Sequence, residues 1–157
     1  MIRPLNKRIE KEKEDIISVW YDAAISRFNF LPLDYFNKES KVLRDNLNLH
    51  DTLICEYNDQ ILGFISMIDK EYISYIYVDP MYQNKRIGTS LIDILKEQKN
   101  VLKVKIFKEA KISVAFFLSK GFKFIDEKID TNTNQKICYM EWTKGVNNGK
   151  VFNNWRK

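Results

Sequence analysis

The stretch Tyr75-Ile-Tyr-Val-Asp-Pro-Met-Tyr-Gln-Asn-Lys-Arg-Ile-Gly-Thr-Ser-Leu-Ile-Asp-Ile-Leu95 decides how the chain is read. An apolar, aromatic strand runs into Asp79-Pro80, which stops it. A short polar loop follows and opens into a helix with Leu91, Ile92, Ile94 and Leu95 on its buried side. The first-turn N–H groups of a helix have no intrahelical acceptor, and the helix dipole adds positive potential there. A strand, a loop and a helix N-terminus in this order make an anion site. Lys85 and Arg86 place two charges beside those amides; the alternative is a solvated helix start that holds nothing.

Working outward, 157 residues suffice for one domain with a sizeable core. A hydrophobic fraction of 45% and a charged fraction of 30% are those of a globular protein. No run of about 18 apolar residues is present, so no membrane span is expected. The charged Lys7–Asp15 segment leaves no apolar signal core near the start, and a cytoplasmic protein is the expectation. A net charge of +5 suits an acidic or phosphorylated ligand. The basic residues are scattered rather than blocked, which argues against nucleic-acid binding. Cys55 and Cys138 stand alone and His50 is the one histidine, so no metal site is expected and both thiols read as buried and reduced.

Along the chain, Ile2–Leu5 reads as a strand. Glu12–Ser26 reads as a helix through the stripe Ile16, Val19, Trp20, Ala23 and Ala24. Phe28-Asn-Phe-Leu-Pro32 breaks it, and Leu33–Leu47 follows as a second helix. Thr52–Tyr57 and Ile61–Ile68 read as strands joined at Asn58-Asp59-Gln60. Glu71–Val78 is a third strand and Arg86–Lys99 a helix. Val101–Phe107 alternates as strands do, and Glu109–Lys120 is a helix closed by Gly121. Phe122–Glu127 and Lys136–Thr143 form a last hairpin around the polar Asp130–Gln135 loop. The fold class expected is α/β of the α+β type: a single mixed, mostly antiparallel sheet of about seven strands with helices on both faces. Residues 1–144 are expected to be one domain. Residues 145–157 are expected to be a loosely held tail from which Phe152 and Trp155 could dock.

With that order in place, Tyr77-Val-Asp-Pro-Met-Tyr-Gln-Asn-Lys-Arg-Ile-Gly-Thr resembles the acetyl-CoA loop of the GCN5-related N-acetyltransferases (GNAT), a bacterial small-acetyltransferase type. The family pattern Gln/Arg-x-x-Gly-x-Gly/Ala falls on Gln83-Asn-Lys-Arg-Ile-Gly88, with Arg86 where the first glycine usually stands. Phe116-Phe-Leu-Ser-Lys-Gly-Phe122 is similar to the family's Phe-Tyr-x-x-x-Gly-Phe. The resemblance spans residues 1 to about 143 and implies a GNAT fold using acetyl-CoA as co-substrate. It also implies that Gln83, Asn84, Lys85, Arg86, Ile87, Gly88 and Thr89 hold pyrophosphate, mainly through the N–H groups of Lys85 to Thr89. The pantetheine arm would pair with the backbone of Ile76, Tyr77 and Val78 at a bulge in the strand, with Phe117 and Lys120 contributing from the later helix. Gly88 fits on its own physics, since a side chain there would block the approach of phosphate. Arg86 is expected to keep an ordinary helical backbone.

Acetyl transfer needs a base for the amine, a donor for the oxyanion and, usefully, an acid for the thiolate. The family's acidic base falls at Ser74, which can hold a water but not act as a base; Glu71, Glu56 and His50 are further candidates. His50 reads first as a plain surface histidine. The family's tyrosine acid falls at Phe117, and its helix-start asparagine is replaced by Ala110 or Lys111. Ser113 or Tyr139 could supply a proton, although the simpler readings are a helix-surface serine and a core aromatic. A backbone N–H near Ile76–Val78 would serve the oxyanion. Phe28, Phe30, Leu31, Tyr35 and Phe36, with the Asp130–Gln135 loop, either line the acceptor pocket or belong to the core. The expected activity is acetyl transfer to an amine of a small molecule or peptide, by a monomer or homodimer. The alternative is a weakly active or inactive CoA-binding module serving as a sensor or partner protein.

Overall fold

The computed structural model describes residues 1–145, and the expected tail, with Phe152 and Trp155, lies outside them apart from Gly145. The chain forms two compact units, Met1–Leu95 and a second beginning at Lys96.

In the first unit, β1 (Ile2–Pro4), β2 (Asp51–Tyr57), β3 (Gln60–Met67) and β4 (Ile73–Val78) form an antiparallel sheet in sequence order. The helices α1 (Glu10–Arg27) and α2 (Leu33–Leu49) pack on each other, and α1 also packs on β3 and β4. The stripe expected on α1 is buried in full: Ile16, Val19, Trp20, Ala23 and Ala24. Strand β3 is buried at every position from Ile61 to Met67. The hairpin between β2 and β3 turns on two residues rather than three. Asn58 and Asp59 both take positive φ, 51° and 62°, and Tyr57 pairs with Gln60. Positive φ at both central residues is the turn whose twist matches the strands. Arg3 fastens β1 to β2 and α1: its guanidinium forks onto the Glu56 carboxylate at 2.7 and 3.1 Å and reaches Glu12 at 3.1 and 3.2 Å. Helix α3 (Ile87–Gln98) begins in this unit.

In the second unit, β5 (Val101–Phe107), β6 (Lys123–Asp130) and β7 (Gln135–Thr143) form an antiparallel sheet with β7 in the middle. Leu102, Val104 and Ile106 of β5 and Cys138, Met140 and Trp142 of β7 turn to the core. The seven strands are those expected. Their ladders form two antiparallel sheets of four and three strands, where one mixed sheet was expected.

The helix α4 (Lys111–Ser119) ends in a specific way. Gly121 takes φ 86°, its N–H donates to Leu118 O at 3.1 Å, and the Phe122 N–H donates to Phe117 O at 3.0 Å. These two bonds close a helix in the Schellman manner, and the motif favours an apolar contact between the residues Phe122 and Phe117 occupy. Their rings meet edge to face at 5.0 Å. The spacing Phe-x-x-x-Gly-Phe is thus a helix-closing device in its own right.

Several side chains depart from expectation. Cys138 is buried, but Cys55 is only half-buried; both are free thiols. Ser113 is buried rather than on the helix surface. Tyr139 points away from the core side of β7, with the Lys128 ammonium 5.3 Å from its ring centroid. No described helix is long and apolar enough to cross a membrane.

Candidate functional site

The site grows out of the end of β4. Strand β3 pairs with β4 as Gly63 with Val78, Phe64 with Tyr77, Ile65 with Ile76, Ser66 with Tyr75 and Met67 with Ile73. Ser74 has no partner in that register, so it is the extra residue of a β-bulge. Past Val78, the Asp79 N–H donates to Leu62 O, and the Asp79 carboxylate accepts from the Met81 N–H at 2.9 Å. That cap starts a single 3-10 turn, Pro80–Tyr82, with Pro80 at its first position. Gln83 folds back and its side-chain amide donates to Val78 O at 3.3 Å, tying the loop to the strand end.

The loop then takes a shape that its sequence did not announce. Asn84 and Arg86 both sit at φ 64°, on either side of Lys85. Arg86 was expected in a helical conformation; it is left-handed instead, the conformation for which glycine is the usual choice. Its carbonyl accepts the first helical bond of α3, from the Ser90 N–H at 2.9 Å. The amides of Ile87, Gly88 and Thr89 are therefore the orphan donors of α3. Alternation of backbone sign ahead of a helix turns successive N–H groups into a concavity that suits an anion. Asn84, Lys85 and Arg86 are exposed, and neither cation pairs with a carboxylate among the described residues. Gly63 was missed in the sequence: a Cβ there would lie 3.0 Å from Tyr77 O and 3.1 Å from the Ile87 side chain. Its lack of a side chain is what allows Ile87, at the start of α3, to lie against β3. The donor set, two unpaired cations and a row of free amides, fits a diphosphate.

On the other side of β4 lies an aromatic and polar cluster. Tyr77 packs against Trp20, Phe28, Phe64 and Tyr75, with ring centroids 6.0 to 6.5 Å apart. Although Tyr77 keeps part of its surface exposed, burial pushes its hydroxyl well above the usual tyrosine range, and the hydrogen bond with Trp20 opposes this only in part. Arg27, beside it, is lowered by burial. Tyr75 accepts from the Asn46 amide at 2.9 Å and is likewise raised by burial. Phe28, Leu31 and Phe36 are core; Phe30 and Tyr35 are half-buried, so only these two of the five apolar residues set aside for an acceptor have free surface.

His50 is not a surface residue. It caps the end of α2 and is 4% exposed. Its Nδ1 lies 2.9 Å from Ser74 Oγ, and Ser74 Oγ reaches Ser66 O at 3.1 Å. The Ser66 and Thr52 hydroxyls meet at 2.7 Å, both buried. Burial holds His50 below the usual histidine range, Lys7 lowers it further and Asp51 opposes. The remaining candidates of the first unit, Glu71 and Glu56, make other hydrogen bonds. Glu71 lies in the β3–β4 turn, its N–H donating to Asp69. Glu56 is occupied by Arg3. Tyr139 and Lys120 belong to the second unit; Lys120 is the C-cap of α4, its ammonium 5.5 Å from the Phe116 ring centroid. Phe117 is 3% exposed between Phe116 and Phe122. No described group of His, Cys, Asp and Glu could hold a metal.

The family model described as an acetyltransferase (GNAT) domain matches residues 30–144. A curated relative, the peptidyl-lysine N-acetyltransferase YiaC of Escherichia coli K12, is 20% identical over 128 residues, covering 81% of this chain and 88% of its own. Among solved structures, apo YjaB of Escherichia coli superposes with TM-score 0.79 at 17% identity, over 90% of this chain and 95% of that one. PaiA N-acetyltransferase of Thermoplasma acidophilum, solved with coenzyme A, superposes with TM-score 0.73 at 20% identity, over 91% and 98%.

Proposed function

The chain belongs to the GNAT acetyltransferases, which use acetyl-CoA as co-substrate, and from that premise we propose that it acetylates an amine of a small molecule or peptide in the cytoplasm, as a monomer or homodimer. The observation that supports this most directly is the left-handed Asn84–Arg86 turn leading into the free amides of α3. Lys85, Arg86 and the amides of Ile87, Gly88 and Thr89 hold the diphosphate. The backbone of Ile76, Tyr77 and Val78, on the edge strand of the four-stranded sheet, carries the pantetheine arm, with an N–H at Ile76–Val78 serving the oxyanion. Gln83 braces the loop against the strand. Residues 1–144 act as one acetyltransferase domain. Bound acetyl-CoA supplies an activated acyl group; the chain orients it and must take a proton from the amine. Because the curated relative acts on peptidyl-lysine, a lysine peptide is the first acceptor to test.

A second reading has one observation in its favour. Phe117 carries no donor and is closed into the core at the end of α4, which suits a protein that holds CoA with little turnover. Calorimetry with acetyl-CoA tests both readings, and no binding at millimolar cofactor removes both. Thiol release with lysine peptides and small amines then separates an enzyme from a binding module.

A further inference from the structure

We propose that His50 is the terminal proton acceptor of the reaction, receiving the amine's proton through Ser74. The inference rests on the acetyl-transfer reading and adds a residue to it. The imidazole is 4% exposed, so it cannot meet an amine itself. Ser74 is half-exposed and is the extra residue of the β4 bulge, a feature that re-aims a side chain out of the strand's alternation. Its hydroxyl touches His50 Nδ1 at 2.9 Å and Ser66 O at 3.1 Å. One hydroxyl proton serves both contacts in turn. Turned to Nδ1, the nearer of the two, it leaves the imidazole as acceptor with its remaining proton on Nε2.

The transfer balances. The ammonium gives one proton to Ser74 Oγ as Ser74 passes its own to Nδ1. The free amine nitrogen then bonds to the acyl carbon as the C–S bond breaks, the electron pair leaving with sulfur. The nitrogen's second proton goes to that sulfur, and the imidazolium later releases its proton to water. A neutral imidazole at pH 7 is a requirement of this path, and its surroundings provide it. Burial and Lys7, in the segment before α1, disfavour the charged form; Asp51 of β2 favours it; the Tyr75 ring of β4 lies 6.3 Å away.

Because His50 is the chain's one histidine, its ring nitrogens can be followed by 15N NMR in untagged, histidine-labelled protein without assignment. The Nε2–H tautomer is expected, with the Nδ1 signal moving in Ser74→Ala; the Nδ1–H tautomer, or a signal indifferent to Ser74, overturns the proposal. Kinetics with acetyl-CoA and a lysine-containing peptide give the second arm. His50→Asn keeps an amide for Ser74 but cannot take a proton. It is expected to lower kcat/KM by on the order of 10²- to 10⁴-fold and to remove the acid limb of the pH profile, which in the wild type has its midpoint below the ordinary histidine value. CoA affinity should hold. Wild-type kcat/KM with an unchanged acid limb in His50→Asn overturns the proposal alone. A wild type that binds acetyl-CoA yet acetylates neither such a peptide nor a small amine fails the acetyl-transfer reading, and the proposal with it.

Discussion

The Arg86 carbonyl accepts two hydrogen bonds from Ser90, one from its backbone N–H and one from its hydroxyl, both at 2.9 Å. Helix α3 is therefore anchored on a residue whose own backbone is left-handed. That residue carries the strain of an L side chain at positive φ, a cost of about 1–2 kcal/mol.

The strain makes a prediction with a sign. At an ordinary helix position, glycine is about 1 kcal/mol less stable than alanine. At Arg86 the order should invert: Arg86→Gly should be the more stable of the pair by about 1 kcal/mol, read from urea midpoints at equal slope. If Arg86→Ala is the more stable variant, the left-handed assignment is wrong.

Strand, proline stop, loop and helix were legible in the sequence because period-2 and period-3.6 patterns meet at Asp79-Pro80. The Phe117-to-Phe122 spacing was also legible, because Gly121 marks a left-handed helix end. The backbone at Arg86 was not, since arginine carries no local preference for positive φ, whereas Asn84 is of a residue type that does adopt it. His50 was misplaced for a related reason. A lone polar residue between a helix and a strand reads as a loop, and its hydrogen-bond partner, Ser74, stands 24 residues away at a bulge with no sequence mark. Gly63 stands inside an apolar strand, where nothing local shows that Ile87 will press against it.

Gly88 gives a direct test of the phosphate cradle. Gly88→Glu puts bulk and negative charge among the amides that are to hold the diphosphate. Like charges brought together at an interface cost several kcal/mol, so CoA affinity by calorimetry should fall by on the order of 100-fold or more. The fold should survive, because a carboxylate in the first turn agrees with the helix dipole. Unchanged affinity in a folded variant refutes the assignment of this loop.

Phe117 is tested by restoring a hydroxyl. If it stands where the leaving thiolate needs a donor, Phe117→Tyr should release thiol from acetyl-CoA faster than the wild type. Its ring is 3% exposed and set against Phe122, so a hydroxyl without a partner would cost about 1–3 kcal/mol. Slower turnover together with a stability loss of that size assigns Phe117 to the core alone.

Arg3 and Glu56 predict how the first unit responds to acid. The hydrogen bond from Arg3 is the main cause holding the Glu56 carboxyl below its ordinary value of 4.5. A carboxyl whose folded value lies below its unfolded one stabilises the protein fully above the unfolded value, and loses that contribution as pH falls through the folded value. The contribution of this pair should thus be intact at pH 7 and disappear below pH 4.5. Glu14 beside Arg44 and Glu127 beside Lys108 act in the same direction, so the wild-type curve alone does not isolate the pair. The difference between wild type and Arg3→Met does. Arg3→Met should be less stable than wild type at pH 7, and the gap between their urea midpoints should narrow as pH falls below 4.5. Lysine should rescue poorly, because Arg3 reaches two carboxylates at once through a planar fork that an ammonium lacks. A gap that stays constant from pH 7 to pH 3 would mean that Arg3 stabilises through packing of its stem and not through its charge.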